Sequence, residues 1–177
     1  MYFLIALAAT SALLAAPALA TEQRLEEVVV TAELRDTSLL SQPGSTSVIS
    51  AQQIQQRAAQ HLEGILNLAP NVNYSGGTSR ARFFHMRGIG ERSKCQEPLN
   101  PSIGLVIDGI DFSGLGGAGT LFDVEQVEVL RGPQGTLFGK NSSAGVINIL
   151  SKRPSKELTA QSEVTAGNYG AFAASQS

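Results

Sequence analysis

The sequence predicts an α+β fold: a small mixed sheet with two short helices and long glycine-rich loops, entered after an export signal and followed by a strand of a different kind. Three observations carry this reading. Fourteen of the 18 glycines fall between Gly76 and Gly145, so that region is built from turns and irregular backbone rather than long helices. Five short apolar or β-branched runs recur through the chain, most of them bounded by Gly, Pro or Asp. Helical spacing, by contrast, is confined to the stretch between Ser50 and Pro70. A length of 177 residues suits one ordinary domain with extensions.

The first twenty residues, MYFLIALAATSALLAAPALA, carry no charged side chain and end in Ala18-Leu19-Ala20, the small-x-small pattern of a signal-peptidase site. Cleavage is expected after Ala20. A membrane-spanning anchor is the alternative, because the run is nearly long enough to cross a bilayer. Pro17 and the polar Thr21-Glu22-Gln23-Arg24 favour the signal. No Lys or Arg stands ahead of the apolar run, which leaves a start codon further upstream as an open possibility.

In the next segment, Val28-Val29-Val30 is flanked by acids and offers its neighbours no local core. Two readings stay open: a first strand of the domain, or a tethered segment that adds itself to another protein's sheet edge. Ser45 to Ile49 reads as a strand, and Ser50 with Gln53 forms a capping box that opens a helix through Gln60. Leu62, Ile65, Leu66 and Ala69 follow helical spacing until Pro70 and are core positions. Further strands are expected at Arg82 to Met86, Ile103 to Ile107, Val127 to Leu130 and Val146 to Leu150. After Lys152-Arg153-Pro154, Leu158, Ala160, Ser162, Val164 and Ala166 alternate with more polar partners over about the length of a tilted transmembrane strand. A surface strand of a soluble sheet fits the pattern equally well. The pattern has barely begun at Ser177, and one membrane strand cannot satisfy its backbone alone, so the expectation is a β-barrel cut short.

Chemistry is sparse. A net charge of -2 gives no global attraction to nucleic acid. The single Cys95 cannot form an internal bridge, and His61 and His85 stand alone, so neither a disulfide framework nor a metal site is expected. No Ser/His/Asp set or paired carboxylates point to catalysis, and no cofactor is implied. The stretch RGPQGTLFGKNSSAGVINI, Arg131 to Ile149, looks at first like a phosphate loop. It fails the pattern: Gln134 stands where the first Gly should, Asn141 follows Lys140, and the run from Gly145 to Ile149 reads as a strand where a helix should begin.

Taken in order, the motifs are similar to those of the N-terminal part of a TonB-dependent outer-membrane receptor. Glu26-Glu27-Val28-Val29-Val30-Thr31-Ala32 resembles the family's TonB box. Met86-Arg87-Gly88-Ile89-Gly90, Val106-Ile107-Asp108-Gly109, the segment Val124 to Pro133 and the stretch through Leu137-Phe138-Gly139 to Val146-Ile147-Asn148-Ile149 resemble its plug motifs. The resemblance implies a signal peptide (1–20), a TonB-box segment and linker (21–40), a plug domain (41–155) and the start of a first strand of a truncated transmembrane β-barrel (156–177). It implies a bacterial outer-membrane location with the TonB box facing the periplasm, and three partners: TonB, the protein's own C-terminal barrel and a small-molecule nutrient such as an iron chelate. Arg87 and Arg131 match positions that pair with glutamates on the inner barrel wall; pairing with Glu125 or Glu128 inside the plug is the alternative. By position, the loops Tyr74 to Arg80 and Phe112 to Thr120 are the outward apices, with Tyr74, Ser75, Arg80, Phe112 and Ser113 facing ligand. The segment Glu91 to Pro101, holding Arg92, Lys94 and Cys95, is a further candidate apex. Glycines allow tight packing against a wall, and Asn141, Ser142 and Ser143 are expected to offer hydrogen bonds in a wet lumen. A free periplasmic binding domain without a barrel is the competing, equally non-enzymatic reading.

Overall fold

The computed structural model describes residues 28–31, 37–41, 44–76, 80–91, 101–115, 119–156, 160 and 162–176. The signal, Glu26, Glu27, Ala32, Cys95 with Arg92 and Lys94, and Leu158 lie outside them. The strands are β1 (Val29–Val30), β2 (Thr37–Ser38), β3 (Ser45–Ser50), β4 (Val72–Ser75), β5 (Phe83–Met86), β6 (Ile89–Gly90), β7 (Ile103–Ile107), β8 (Ile110–Asp111), β9 (Val124–Arg131), β10 (Gly145–Ser151), β11 (Ser162–Ala166) and β12 (Phe172–Gln176). Two short helices accompany them, α1 (Ala51–Gln56) and α2 (Gly135–Phe138).

The central sheet has the order β3-β9-β10-β7-β8. β9 runs antiparallel to both β3 and β10, whereas β10 runs parallel to β7, so the sheet is mixed as expected. It is apolar on both faces. On one, Ile49, Val127, Val129, Ile147, Ile149, Ile103 and Leu105 meet Ile54 of α1 and Leu62, Ile65, Leu66, Phe84 and Met86. On the other, Val106, Leu130 and Val146 are covered by Val30. Double-sided burial explains why β10 reads as a near-continuous hydrophobic run rather than an alternating one.

The capping box forms as read: Ser50 Oγ accepts from the Gln53 N–H, and Gln53 Oε1 accepts from the Ser50 N–H. The helix does not reach Gln60. It ends at Gln56, and Ala58 sits in the left-handed region at φ 48°. Its one buried residue is Ile54, and the polar residues after it have nothing to bury. The second expected helix is two 3₁₀ turns, Leu62–Gly64 and Leu66–Leu68. Leu62, Ile65, Leu66 and Ala69 are all buried, and their three-residue spacing matches the 3₁₀ turn as well as the α-helix. The second α-helix is instead the single turn α2, inside the stretch first compared with a phosphate loop. β9 and β10 extend beyond the expected runs because they pair with each other from Gly145↔Arg131 to Ser151↔Val124.

Beyond Arg153 the alternating pattern folds into a hairpin rather than one continuous strand. β11 and β12 pair antiparallel from Ser162↔Gln176 to Ala166↔Phe172. The turn between them uses Tyr169 at φ 60° and Gly170 at φ 74°. Among the described residues no helix is long and apolar enough to cross a membrane, which says nothing about crossing by strands.

Candidate functional site

Two groups of polar residues stand out against the apolar sheet, and β9 contributes to both. At its C-terminal end, Arg131 donates from Nε to the Ser45 carbonyl (3.4 Å) and from a terminal guanidinium nitrogen to the Pro70 carbonyl (2.9 Å). Arg87 occupies the tight turn between β5 and β6, at φ 53° beside Gly88 at φ 83°, a pair of left-handed residues of the kind a two-residue hairpin turn demands. Its N–H donates to the Asn71 carbonyl (2.9 Å), and its side chain is exposed. The Arg131 guanidinium and the Arg87 backbone thus bond to adjacent residues, Pro70 and Asn71, which brings the two arginines to one place. Burial first, then the charge of Arg87, push the Arg131 pKa below its ordinary value. Neither arginine forms a salt bridge with an acid among the described residues, where the ion pair that forms joins Lys152 to Asp123. Glu125 and Glu128, the alternative partners inside the plug, form no ion pair with either arginine among the described residues, and Glu128, three residues from Arg131 on β9, faces the opposite side of the sheet.

Glu128 is fully buried on the second face, and neutral donors occupy its carboxylate. Oε1 accepts from the Thr31 N–H (2.7 Å), the Thr31 hydroxyl (3.2 Å) and Gln126 Nε2 (2.8 Å); Oε2 accepts from Asn148 Nδ2 (3.1 Å). Gln126 Nε2 also donates to the Val29 carbonyl (3.1 Å). These bonds dock β1 on the sheet. Val30 is 0% exposed beneath this lattice, while Val28 and Val29 remain 44% and 42% exposed and line a groove of about 870 Å³. Val28 to Val30 are therefore docked on their own domain through Val30, with the side chains of Val28 and Val29 left exposed.

The expected apices differ from each other. Tyr74 and Arg80 are exposed, and with His61, Arg57 and Glu63 they line a groove of about 520 Å³. Ser75 is half-buried, and its hydroxyl has no hydrogen-bond partner among the described residues. The His61↔Thr120 bridge brings the end of the glycine-rich loop to the same place. Phe112 turns inward onto the core, and the Ser113 hydroxyl accepts from the Leu105 N–H (3.1 Å); Leu115 is the residue that projects. Within the stretch Arg131 to Ile149, Ser142 is fully buried and donates to the Gly139 carbonyl (2.5 Å), while Asn141 donates to Asp111 (2.8 Å). Ser143 donates to the Ser102 carbonyl (3.4 Å). All three therefore bond within the domain, Ser142 to its own turn and Asn141 and Ser143 across to Asp111 and Ser102 at the two ends of the β7-β8 hairpin. No cluster of three or more His, Cys, Asp or Glu able to hold a metal occurs among the described residues.

Comparison with known families decides the class. The TonB-dependent receptor plug domain matches residues 38–146. The chain belongs to the TonB-dependent receptor family. It is 32% identical to the pesticin receptor of Yersinia pestis over 78% of this chain and 21% of that protein. It is 32% identical to the vitamin B12 transporter BtuB of Vibrio vulnificus over 72% of this chain and 21% of that protein. Among solved structures, the siderophore receptor PiuA of Acinetobacter baumannii superposes with a TM-score of 0.64 at 28% identity, covering 82% of this chain and 19% of that one. The chain thus spans about a fifth of the length of these relatives. Membership places it in the bacterial outer membrane.

Read as a plug of this family, the domain presents Arg87 and Arg131 together, as a joint feature of two distant turns. Sequence reasoning missed the role of Glu128 and Gln126. The available signal was a lone Glu and a lone Asn at Glu128 and Asn148, each inside a hydrophobic run, which the register places directly opposite one another.

Proposed function

We propose that the chain is the plug and gate of an outer-membrane receptor for TonB-energised uptake of a scarce nutrient, of which an iron chelate is the leading candidate. The domain map that goes with this is a signal peptide (1–20), a TonB-box segment and linker (21–40), a plug (41–155) and the opening of a barrel (156–177). The observation that carries it is the pair Arg87 and Arg131, two neighbouring guanidiniums with no acid partner among the described residues. Such a pair is costly alone and becomes favourable against carboxylates from outside the domain, where planar bidentate contacts form and can be broken again. Residues of a barrel wall are the proposed source of those carboxylates. Glu26 to Ala32 are the proposed TonB-binding segment, with Val28 and Val29 presenting its free side. Tyr74, Ser75 and Arg80, with Phe112 and Ser113 behind the second loop, are the proposed ligand end.

Uptake tests this directly. Cells carrying the full-length gene should accumulate a labelled ferric siderophore or cobalamin only when TonB is present, whereas binding to the cell surface should persist without it. Equal uptake with and without TonB would overturn the energised reading. Recovery of the processed protein in the periplasmic fraction would favour a free binding domain.

A further inference from the structure

The backbone of the segment Val28 to Thr31 is spoken for on both edges. On one, the Leu39 N–H donates to the Val28 carbonyl (3.1 Å), and β1 pairs with β2 in the register Val29↔Ser38 and Val30↔Thr37. The Val29 carbonyl and the Thr31 N–H belong to alternate residues and so point to the opposite edge. Among the described residues no strand lies there. Two side chains of β9 take its place: Gln126 donates to the carbonyl at 3.1 Å and Glu128 accepts from the N–H at 2.7 Å. A donor and an acceptor held at this spacing reproduce what an adjoining strand would offer. Gln126 also donates to Glu128 (2.8 Å), so the two act as one unit, and Asn148 fixes the second carboxylate oxygen from below.

We infer that Gln126 and Glu128 are a stand-in for the partner strand, and that the edge they cap is the edge on which the partner docks. The inference rests on the proposed role of this segment in binding TonB and specifies how that binding is held in check. The edge toward β2 is closed by main-chain bonds to the same chain and is the harder one to open. The opposite edge needs only two side chains to move, and the groove beside it, lined by exposed Val28 and Val29 with Gln126, Leu150 and Arg153, leaves room for an extended strand. An incoming strand exchanges side-chain bonds for main-chain bonds of the same kind, so the exchange is nearly balanced and easily reversed. Glu128 and Gln126 are positioning residues: they act on the partner through the segment they hold.

Release of the segment can be read without the partner. In full-length protein carrying Cys95→Ser, a Val30→Cys thiol is seated where Val30 is fully buried and reacts with a maleimide only when the segment lifts. Gln126→Ala should raise the labelling rate about tenfold, the loss of one or two hydrogen bonds, and Glu128→Ala by about a hundredfold. Glu125→Ala, exposed on the same strand, should leave the rate unchanged. The affinity for the purified periplasmic domain of TonB should rise as labelling does, because a larger fraction of the segment is competent to bind. Unchanged labelling in Gln126→Ala and Glu128→Ala would overturn the stand-in; if Glu128→Ala does not assemble, Gln126→Ala decides alone. Faster labelling with unchanged TonB affinity would mean that the partner uses another edge, which also overturns the inference. Faster labelling with no TonB binding in any form, parent included, would leave the side-chain latch standing and remove the proposed function instead.

Discussion

Replacing both Arg87 and Arg131 with Ala should loosen the plug in the full-length receptor far more than the contacts inside the domain account for. Within the domain, Arg131 loses two bonds to carbonyls, one of them long at 3.4 Å, and Arg87 loses no side-chain bond to a described residue. Removing either guanidinium also relieves their mutual repulsion. The internal cost is therefore small, on the order of 1 kcal/mol. If wall carboxylates face the pair, two acids are left without cations. Such a loss costs about 3–5 kcal/mol for a fully buried pair and less here, because Arg87 is exposed, so a total of about 2–4 kcal/mol is reasonable. That corresponds to a rise of about thirtyfold to several hundredfold in the population of the displaced plug. Entry of a small chromogenic antibiotic through the outer membrane, measured in cells without TonB, reads that population. Arg131→Ala should exceed Arg87→Ala, since only Arg131 also anchors β3 and the turn at Pro70. Unaltered entry in the double variant, with the plug equally protected from protease, would refute the wall-pairing argument.

Three further outcomes follow from single positions. Val29→Pro should abolish energised uptake while ligand binding to whole cells stays near normal, and Val29→Ile should be nearly silent, because the segment is used through its backbone; equal loss of binding and uptake in the proline form would make it a structural strand instead. Gly145→Ala should cost about 1–3 kcal/mol in thermal denaturation, since a Cβ there meets the Met86 sulfur on β5 and the Leu130 carbonyl on β9; an unshifted melting temperature would show that both strands give way freely. The His61 pKa lies below its ordinary 6.5, through burial first and then Arg80, so the neutral ring is the form the fold favours. Its contribution is present above pH 6.5 and is lost as pH falls through the depressed value, and His61→Gln should flatten that part of the stability-pH curve.

How much of this could be read beforehand depended on whether the signal was local. The Ser50/Gln53 box was legible because both partners lie within one turn, and β7 was legible to the residue because its run is unbroken between Ser102 and Asp108. The core role of Leu62, Ile65, Leu66 and Ala69 was legible while their backbone was not, since three-residue spacing serves α and 3₁₀ turns alike. The one-turn α2 begins at a glycine and packs only half-buried Phe138 onto the sheet, too little for any periodicity to mark it. The seating of Val30 was out of reach: Thr31 and Glu128, which fix it, are 97 residues apart in sequence. The two arginines were visible as single residues beside glycines, but their proximity is a product of the β4-β5-β6 and central sheets coming together.

The placement of Glu128 and Arg131 on one strand bears on function through what the fold declines to do. An acid and a base three residues apart would pair on a helix, where such neighbours share a face. On β9 the pleat sends Glu128 toward β1 and Arg131 toward Ser45 and Pro70, so each charge is held by neutral groups of its own domain. A domain shaped for stability alone gains nothing from burying a carboxylate among amides or from setting two guanidiniums side by side. Both costs fall on the two places where an outside partner is proposed to bind, the side-chain-capped edge of Val28 to Thr31 and the pair formed by exposed Arg87 and half-buried Arg131. In both, the charge or edge is held by neutral groups of the domain, and a partner that offers bonds of the same kind or carboxylates can take their place.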